Sequence, residues 1–271
     1  MTANNTTLKL QVLICTLGRE GMQHVAEMNL PRVAGTGWII SCQSEPAVIP
    51  PQLLRDDIEV YFTPTRGLSK NRNHALSKAR ASYCLIADDD LIFTNEGLEA
   101  VIRSMDARPE VDVATFRCDF PFKKDYPDSE TDLPASARGY YVTSYEIALR
   151  LESARRAGLR FCEIMGIGAD RFQSGEEYIL MRDAQKAGLH CHFFPVTIVC
   201  HPGIPTGRRL SPGKGAIEAD GVVIALEYKL TLLPRLLLKA FRTGGNPLRN
   251  FHYLLQGAVY ALRHKELFTG F

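Results

Sequence analysis

Between residues 8 and 120 the chain keeps switching hydrophobic period, and no other feature limits its fold as much. The runs LKLQVLICTL, GWIISCQS, DIEVYFT, YCLIA and VDVATFRCDF are short, apolar and bounded by turn residues. That is the pattern of strands buried on both faces. Between them lie GLSKNRNHALSKARA and NEGLEAVIRSMDAR, the second closed by Pro109. In the first, Leu68, Ala75, Leu76 and Ala79 recur at helical spacing, with Ser69 as the expected N-cap. Strands alternating with helices predict an α/β domain on a mostly parallel sheet.

One strand ends on charge. YCLIA runs directly into Asp88, Asp89 and Asp90 before the chain turns apolar again. Carboxylates crowded beside a core suffer desolvation and mutual repulsion, and a divalent cation relieves both. Open α/β sheets bind ligands at the carboxyl ends of strands, where strand order reverses. Asp88 and Asp90 are two apart and share one side of an extended segment. Such a D-x-D pair suits Mg²⁺ shared with a diphosphate. The competing reading is an Asp-rich turn in which Asp90 or Thr94 caps the next helix.

Residues 121–140 are polar and Pro-rich and read as a loop; SYEIALRLESARRAG reads as a helix. FCEIMGIGADRFQSG is a Gly-punctuated loop, and EEYILMRDAQKAG is a helix ended by Gly188. Ser174 to Glu177 spell a capping box, which alone accounts for two glutamates at a helix start. LHCHFFPVTIVCH is strand-like. His190 and His192 share one of its faces, as a zinc pair does, but no four-ligand spacing accompanies them.

Taken in order and spacing, LQVLICTLGR, RGLSKNRNHAL, YCLIADDDLIF and GIGADRFQSGEEYILMRDAQKAGL resemble the family 2 glycosyltransferases, over about residues 8–205. The resemblance implies a GT-A fold and a nucleotide-sugar-dependent, inverting, metal-assisted transfer, with Mn²⁺ or Mg²⁺ as the metal. By position, Thr16, Gly18 and Arg19 would line the nucleotide pocket, with Cys15 where the family has proline. Ser41, Gln43 and Glu45 stand where a base or ribose contact is usual. Arg66, Gly67, Lys70, Arg72 and Asn73 would lie over the diphosphate. Asp88 and Asp90 match the metal carboxylates, and Asp89 is placed toward the ribose or sugar. Glu177, then Glu176, would be the base. His201 is a further candidate for the metal. The donor would be a UDP-, GDP- or dTDP-sugar and the acceptor a glycan or lipid-linked hydroxyl, in synthesis of a surface polysaccharide or glycoconjugate.

This gives a GT-A domain over residues 1–205, a flexible loop over 206–221 with Arg208, Arg209 and Lys214 as counter-charges, and a helical extension over 222–271. In the extension Arg235, Lys239 and Arg242 share a helix face. That face is either a solvated basic surface or a contact with an anionic inner membrane leaflet. A net charge of +2 carries no signature of nucleic-acid binding. Seven cysteines, irregularly spaced and without C-x-x-C, read as reduced thiols of a cytoplasmic protein, and the membrane alternative for the basic face would place it peripherally on the membrane's inner face. Neither a signal peptide nor a transmembrane run is expected.

Two other classes fit parts of the pattern. A metal-dependent phosphatase or nucleotidyltransferase also uses strand-end aspartates. A haloacid-type phosphatase, however, places Thr or Val where Ile92 stands. A non-catalytic nucleotide-sugar-binding module would keep the fold without turnover.

Overall fold

The computed structural model describes residues 7–133, 141–203 and 212–271. Its strands are β1 (Leu10–Leu17), β2 (Thr36–Gln43), β3 (Ile58–Thr63), β4 (Tyr83–Ala87), β5 (Ile92–Phe93), β6 (Val113–Asp119), β7 (Thr131–Asp132), β8 (Ile147–Arg150) and β9 (Cys191–Cys200). Its helices are α1 (Gly18–Glu27), α2 (Leu68–Lys78), α3 (Asn95–Ala107), α4 (Leu151–Arg156), α5 (Glu176–Lys186), α6 (Lys214–Glu227), α7 (Leu232–Arg242) and α8 (Pro247–Arg263).

The strands form one sheet in the order β3-β2-β1-β4-β8-β6-β9-β5, with β7 paired to β9. Strands β1 to β4 pair in parallel, as do β6 and β9. β8 runs antiparallel between β4 and β6. The order reverses at β1, which has β2 on one side and β4 on the other. This is the switch point at which such sheets bind ligands.

The strands alternate between two cores. On β4, Tyr83, Leu85 and Ala87 join one with residues of α1 and α3, while Cys84 and Ile86 join the other with residues of α2, α4 and α5. A third core gathers α6, α7 and α8 around Ile217, Leu236 and Leu254. Gly221 and Gly257 make that packing possible. An added Cβ on Gly221 would stand 2.0 Å from the Leu254 carbonyl oxygen, and one on Gly257 would stand 1.9 Å from that of Glu218.

Several expectations change. SYEIALRLESARRAG is not one helix: it holds a short 3₁₀ turn, β8 and then α4. Ser69 lies inside α2, whose N-cap is Gly67, and donates its hydroxyl to the Met165 carbonyl at 2.7 Å. The 121–140 loop is described as far as residue 133 and contains β7. Residues 214–221, taken for part of a flexible loop, belong to α6. Arg208 and Arg209 lie outside the described residues.

Candidate active site

The two-core alternation explains how three adjacent aspartates are held apart. Continuing the parity of β4, Asp88 turns to the α2 and α5 side and Asp89 to the α1 side. Asp89 accepts a hydrogen bond from the Thr16 hydroxyl at the end of β1. Burial pushes the Asp89 carboxyl above its ordinary range, and Asp88 and Asp90 add to this. Helix α1 approaches them at Gly21. A Cβ there would meet the Thr16 Oγ1 at 2.0 Å and the Asp89 Oδ2 at 3.1 Å. In a helix interior Ala is favoured over Gly by up to about 1 kcal/mol, whereas overpacking costs about 1–3 kcal/mol. Gly21→Ala is therefore expected to lower stability in urea titration, against its helix propensity.

On the other side, Asp88 meets Arg72 of α2. The Arg72 Nη2 lies 3.0 Å from Asp88 Oδ1, and its Nη1 lies 3.0 Å from Glu176 and 3.6 Å from Glu177. Nη2 also donates to Ser144 at 2.7 Å, and the guanidinium lies 5.2 Å from the Phe161 ring centre. Arg72 is 2% exposed. Burial works against its charge, but Asp88, Glu177 and Glu176 more than offset that and hold its pKa above the ordinary value. Arg72, expected over a diphosphate, is buried among carboxylate partners of its own chain. It is an internal organiser that joins the strand-end aspartate to the start of α5.

The capping-box explanation of the two glutamates does not hold. The N-cap of α5 is Gly175, in a left-handed conformation, with no side-chain cap hydrogen bond. Both glutamates are buried. Desolvation, reinforced by Glu176 and partly offset by Arg72, pushes the Glu177 carboxyl from 4.5 up to about 8. Glu176 is boxed in: a Cβ on Gly166 would come within 3.1 Å of its carboxyl carbon.

The remaining candidates divide by what they touch. Gln43 donates to the Gly67 carbonyl at 3.1 Å and so fixes the turn before α2. Gly67 has φ +105°, and its backbone packs on that of Gly168, which also has positive φ. Asn73 turns away from the site. It donates to the Phe161 carbonyl at 2.9 Å and to Glu163 at 3.0 Å, and accepts from the Phe161 N–H at 2.8 Å. Gly18, Arg19, Arg66 and Lys70 lie at the open edge; Arg19, Arg66 and Lys70 are exposed, and nothing lies within 4 Å of a Cβ on Gly18.

Sequence reading missed Asn71. It donates to the Thr16 and Ser41 carbonyls, both at 3.0 Å, and accepts from the Ser41 hydroxyl at 2.6 Å. It thereby ties the ends of β1 and β2 together.

His201, after β9, is buried with its Nε2 3.5 Å from Asp90 Oδ2. Its Nδ1 accepts from the Gly203 N–H at 3.3 Å, which leaves the ring proton on Nε2, facing the carboxylate. Ligation of a metal through Nε2 requires that proton to move. Asp88 and Asp90, two oxygen donors at an open strand end, fit a hard cation that fills its other positions with water and phosphate oxygens. Among the described residues, the one trio of metal-ligating side chains drawn within 4.8 Å is elsewhere: Asp132, His190 and His192. There Asp132 Oδ1 takes His190 Nε2 at 2.7 Å and His192 Nδ1 at 2.6 Å. Asp132 is on β7 and the two histidines lie at the start of β9, whereas His201 follows its end. An open cleft of about 870 Å³ also lies away from the aspartates, lined by Asp170, Arg171, Lys214, Glu218, Tyr260 and Arg263 among others.

Comparison with known proteins bears on the fold and on one segment of the chain. Residues 48–163 match the family model described as Glycosyl transferase family 2. No curated protein matches significantly. Among solved structures, S. aureus TarS 1-349 covers 94% of this chain and 72% of its own length at 15% identity, with a TM-score of 0.53. The structure of TarS 1-349 in complex with UDP-GlcNAc aligns over 95% of this chain and 73% of its own length at 17% identity, with a TM-score of 0.57. Against a longer TarS structure the alignment spans 86% of this chain and 42% of that one, with a TM-score of 0.55.

Proposed function

We propose that this chain, which carries a family 2 glycosyltransferase segment over residues 48–163 on a GT-A fold, moves a sugar with inversion from a nucleoside-diphosphate sugar to an acceptor hydroxyl. The observation that carries the reading is Arg72, one buried cation shared by Asp88 and both α5 glutamates. It sets the carboxylate that faces the leaving group beside the carboxylate that takes the proton. A single in-line displacement needs those two functions close together and opposed.

The roles follow from position. Thr16, Gly18, Arg19 and the turn at Gly67 would frame the nucleotide edge, and Arg66 and Lys70, the exposed cations on either side of that turn, would face the donor diphosphate. Asp88 and Asp90 would hold Mn²⁺ or Mg²⁺, which when bound supplies Lewis-acid stabilisation of the departing diphosphate. Asp89, pinned by Thr16, keeps the turn in register. Glu177 accepts the proton of the acceptor hydroxyl, while Glu176 anchors Arg72. The S. aureus TarS structures with UDP-GlcNAc and with UDP make uridine nucleotides the first donors to try. The acceptor class is a glycan or glycoconjugate. The free, largely buried cysteines suit a reducing, cytoplasmic setting.

The test is thermal melting with UDP-, GDP- and dTDP-sugars, with and without Mn²⁺. A ligand present at a hundred times its Kd adds about 2.7 kcal/mol of stability. One nucleotide family is expected to raise Tm only with metal present, and Asp90→Asn is expected to abolish that increment while melting normally alone. Absence of any metal-dependent shift would remove the donor-binding reading. Phosphate release from simple phosphoesters would favour the phosphatase class.

A further inference from the structure

Between Glu227 and Glu266 the chain carries no carboxylate side chain but seven cations: Lys229, Arg235, Lys239, Arg242, Arg249, Arg263 and Lys265. Helix α7 lies in this stretch and is only shallowly docked. Leu236 and Ala240 are its buried residues, and they join the core formed with α6 and α8. At about 100° per residue, rotation from that ridge in one direction meets Leu233, Leu237, Phe241 and then Leu238. All four are exposed, Phe241 at 70%. Leu230, just before the helix, is fully exposed, and Leu248, just after it, is 82% exposed. Rotation in the other direction meets Lys239, Arg235 and Arg242. Lys239 is paired to Asp220 at 2.8 Å, and the Arg235 guanidinium lies 3.6 Å from the Tyr228 ring centre.

A helix at a water-facing surface normally turns polar residues outward. The outer surface of α7 is itself divided, with an apolar strip on one side and a cationic strip on the other. Four large apolar side chains exposed along one strip, with Leu230 and Leu248 exposed just before and after the helix, mark an interaction site. The charge selects the occupant. A second copy of this chain would bring two cation-only stretches together and be repelled. A surface of phosphate headgroups over hydrocarbon satisfies both strips at once. At 11 residues α7 is about 16 Å long, and among the described residues no helix is long and apolar enough to cross a membrane.

We propose that α7 lies flat on an anionic bilayer, with Leu230, Leu233, Leu237, Phe241 and Leu248 at the headgroup–acyl boundary and Arg235, Arg242 and Arg249 at the phosphates. The docking unit is tied to the candidate catalytic loop. Arg171 pairs with Glu218 of α6 at 2.7 Å, and the Gln173 N–H donates to the Gly215 carbonyl at 3.3 Å. A Cβ on Gly175, the residue before Glu176, would touch Val223 of α6. On the glycosyltransferase reading, this presents the acceptor side of the site to lipid-borne hydroxyls.

Vesicle flotation of the full chain tests the docking without any turnover. The protein is expected to float with phosphatidylglycerol–phosphatidylcholine vesicles, at least about tenfold less with phosphatidylcholine alone, and less as salt rises. Leu237→Glu combined with Phe241→Glu is expected to reduce flotation about tenfold or more at unchanged Tm, since both side chains are already in water. Arg235→Glu with Arg242→Glu is expected to remove the preference for anionic vesicles. Glu177→Gln is expected to float like the native chain, so failed docking and failed chemistry are separable. The proposal is overturned if the native chain stays unbound, if it binds phosphatidylcholine equally, or if sedimentation shows that the leucine strip closes a dimer that the Leu237→Glu, Phe241→Glu chain cannot form.

Discussion

Arg72→Met is expected to destabilise the protein by roughly 3–5 kcal/mol at neutral pH, the cost of breaking a buried ion pair from one side. Met approximates the volume of the aliphatic stem but leaves Asp88, Glu176 and Glu177 facing one another without a cation. The pH dependence separates this from simple loss of packing. Glu177 has a folded-state pKa of about 8 against an ordinary 4.5, so the folded state holds that proton more tightly than the unfolded chain. Its stabilising contribution is complete below about 4.5 and is lost as pH rises through about 8. Removing Arg72 removes an influence that lowers this pKa. The stability gap between Arg72→Met and the native chain is therefore expected to stay level well below pH 8, where Glu177 is protonated in both folded states, and to widen as pH rises through and above about 8, in urea titrations at several pH values. Adding Glu176→Gln to Arg72→Met is expected to recover part of the loss, because one of the stranded charges is gone. A gap that does not vary with pH would mean that Arg72 acts through its contacts with Phe161 and Ser144 alone.

The same residue shows where the sequence stops being legible. The parallel strands, the long helices and the strand-end aspartates were readable because each is a local pattern: an apolar run, a 3.6 period, a charged terminus. Arg72 reads locally as a cation on a helix start, and the cation's partners decide its role. Asp88 is 16 residues away and Glu176 is 104, a distance over which no periodicity reports. The same holds for Asn73, committed to Phe161 and Glu163 across 88 and 90 residues, and for Asn71, which ties β1 to β2. β8 failed for a different reason. Four residues carry too little alternation to be told from a helix, and the strand exists because β4 and β6 leave a slot that it fills from the antiparallel direction. At Ser174 the spelling was right for a capping box, but Gly175 takes up the left-handed turn and becomes the cap. That frees the glutamates for burial against Arg72.

Glu177→Gln is expected to lower kcat by about 10²–10⁴-fold, the usual contribution of a positioned general base, while metal-dependent donor binding stays within about twofold of the native value. Gln keeps the volume and one acceptor oxygen but cannot take a proton. The native kcat/KM is expected to rise with pH, because the base works only when ionised. Its midpoint is expected to lie above 4.5 and toward 8, because burial and Glu176 raise the free enzyme's carboxyl more than Arg72 lowers it. The neighbouring glutamate supplies the internal control. Glu176→Gln weakens one ion pair to Arg72 and removes the largest repulsive neighbour of Glu177, so it is expected to shift the pH midpoint downward and to cost less in kcat than Glu177→Gln. Reversal of that order, with Glu176→Gln the silent enzyme and Glu177→Gln retaining a tenth or more of native turnover, would exchange the two roles. The Arg72 bridge would then hold Glu177 as the anchor and present Glu176 to the acceptor.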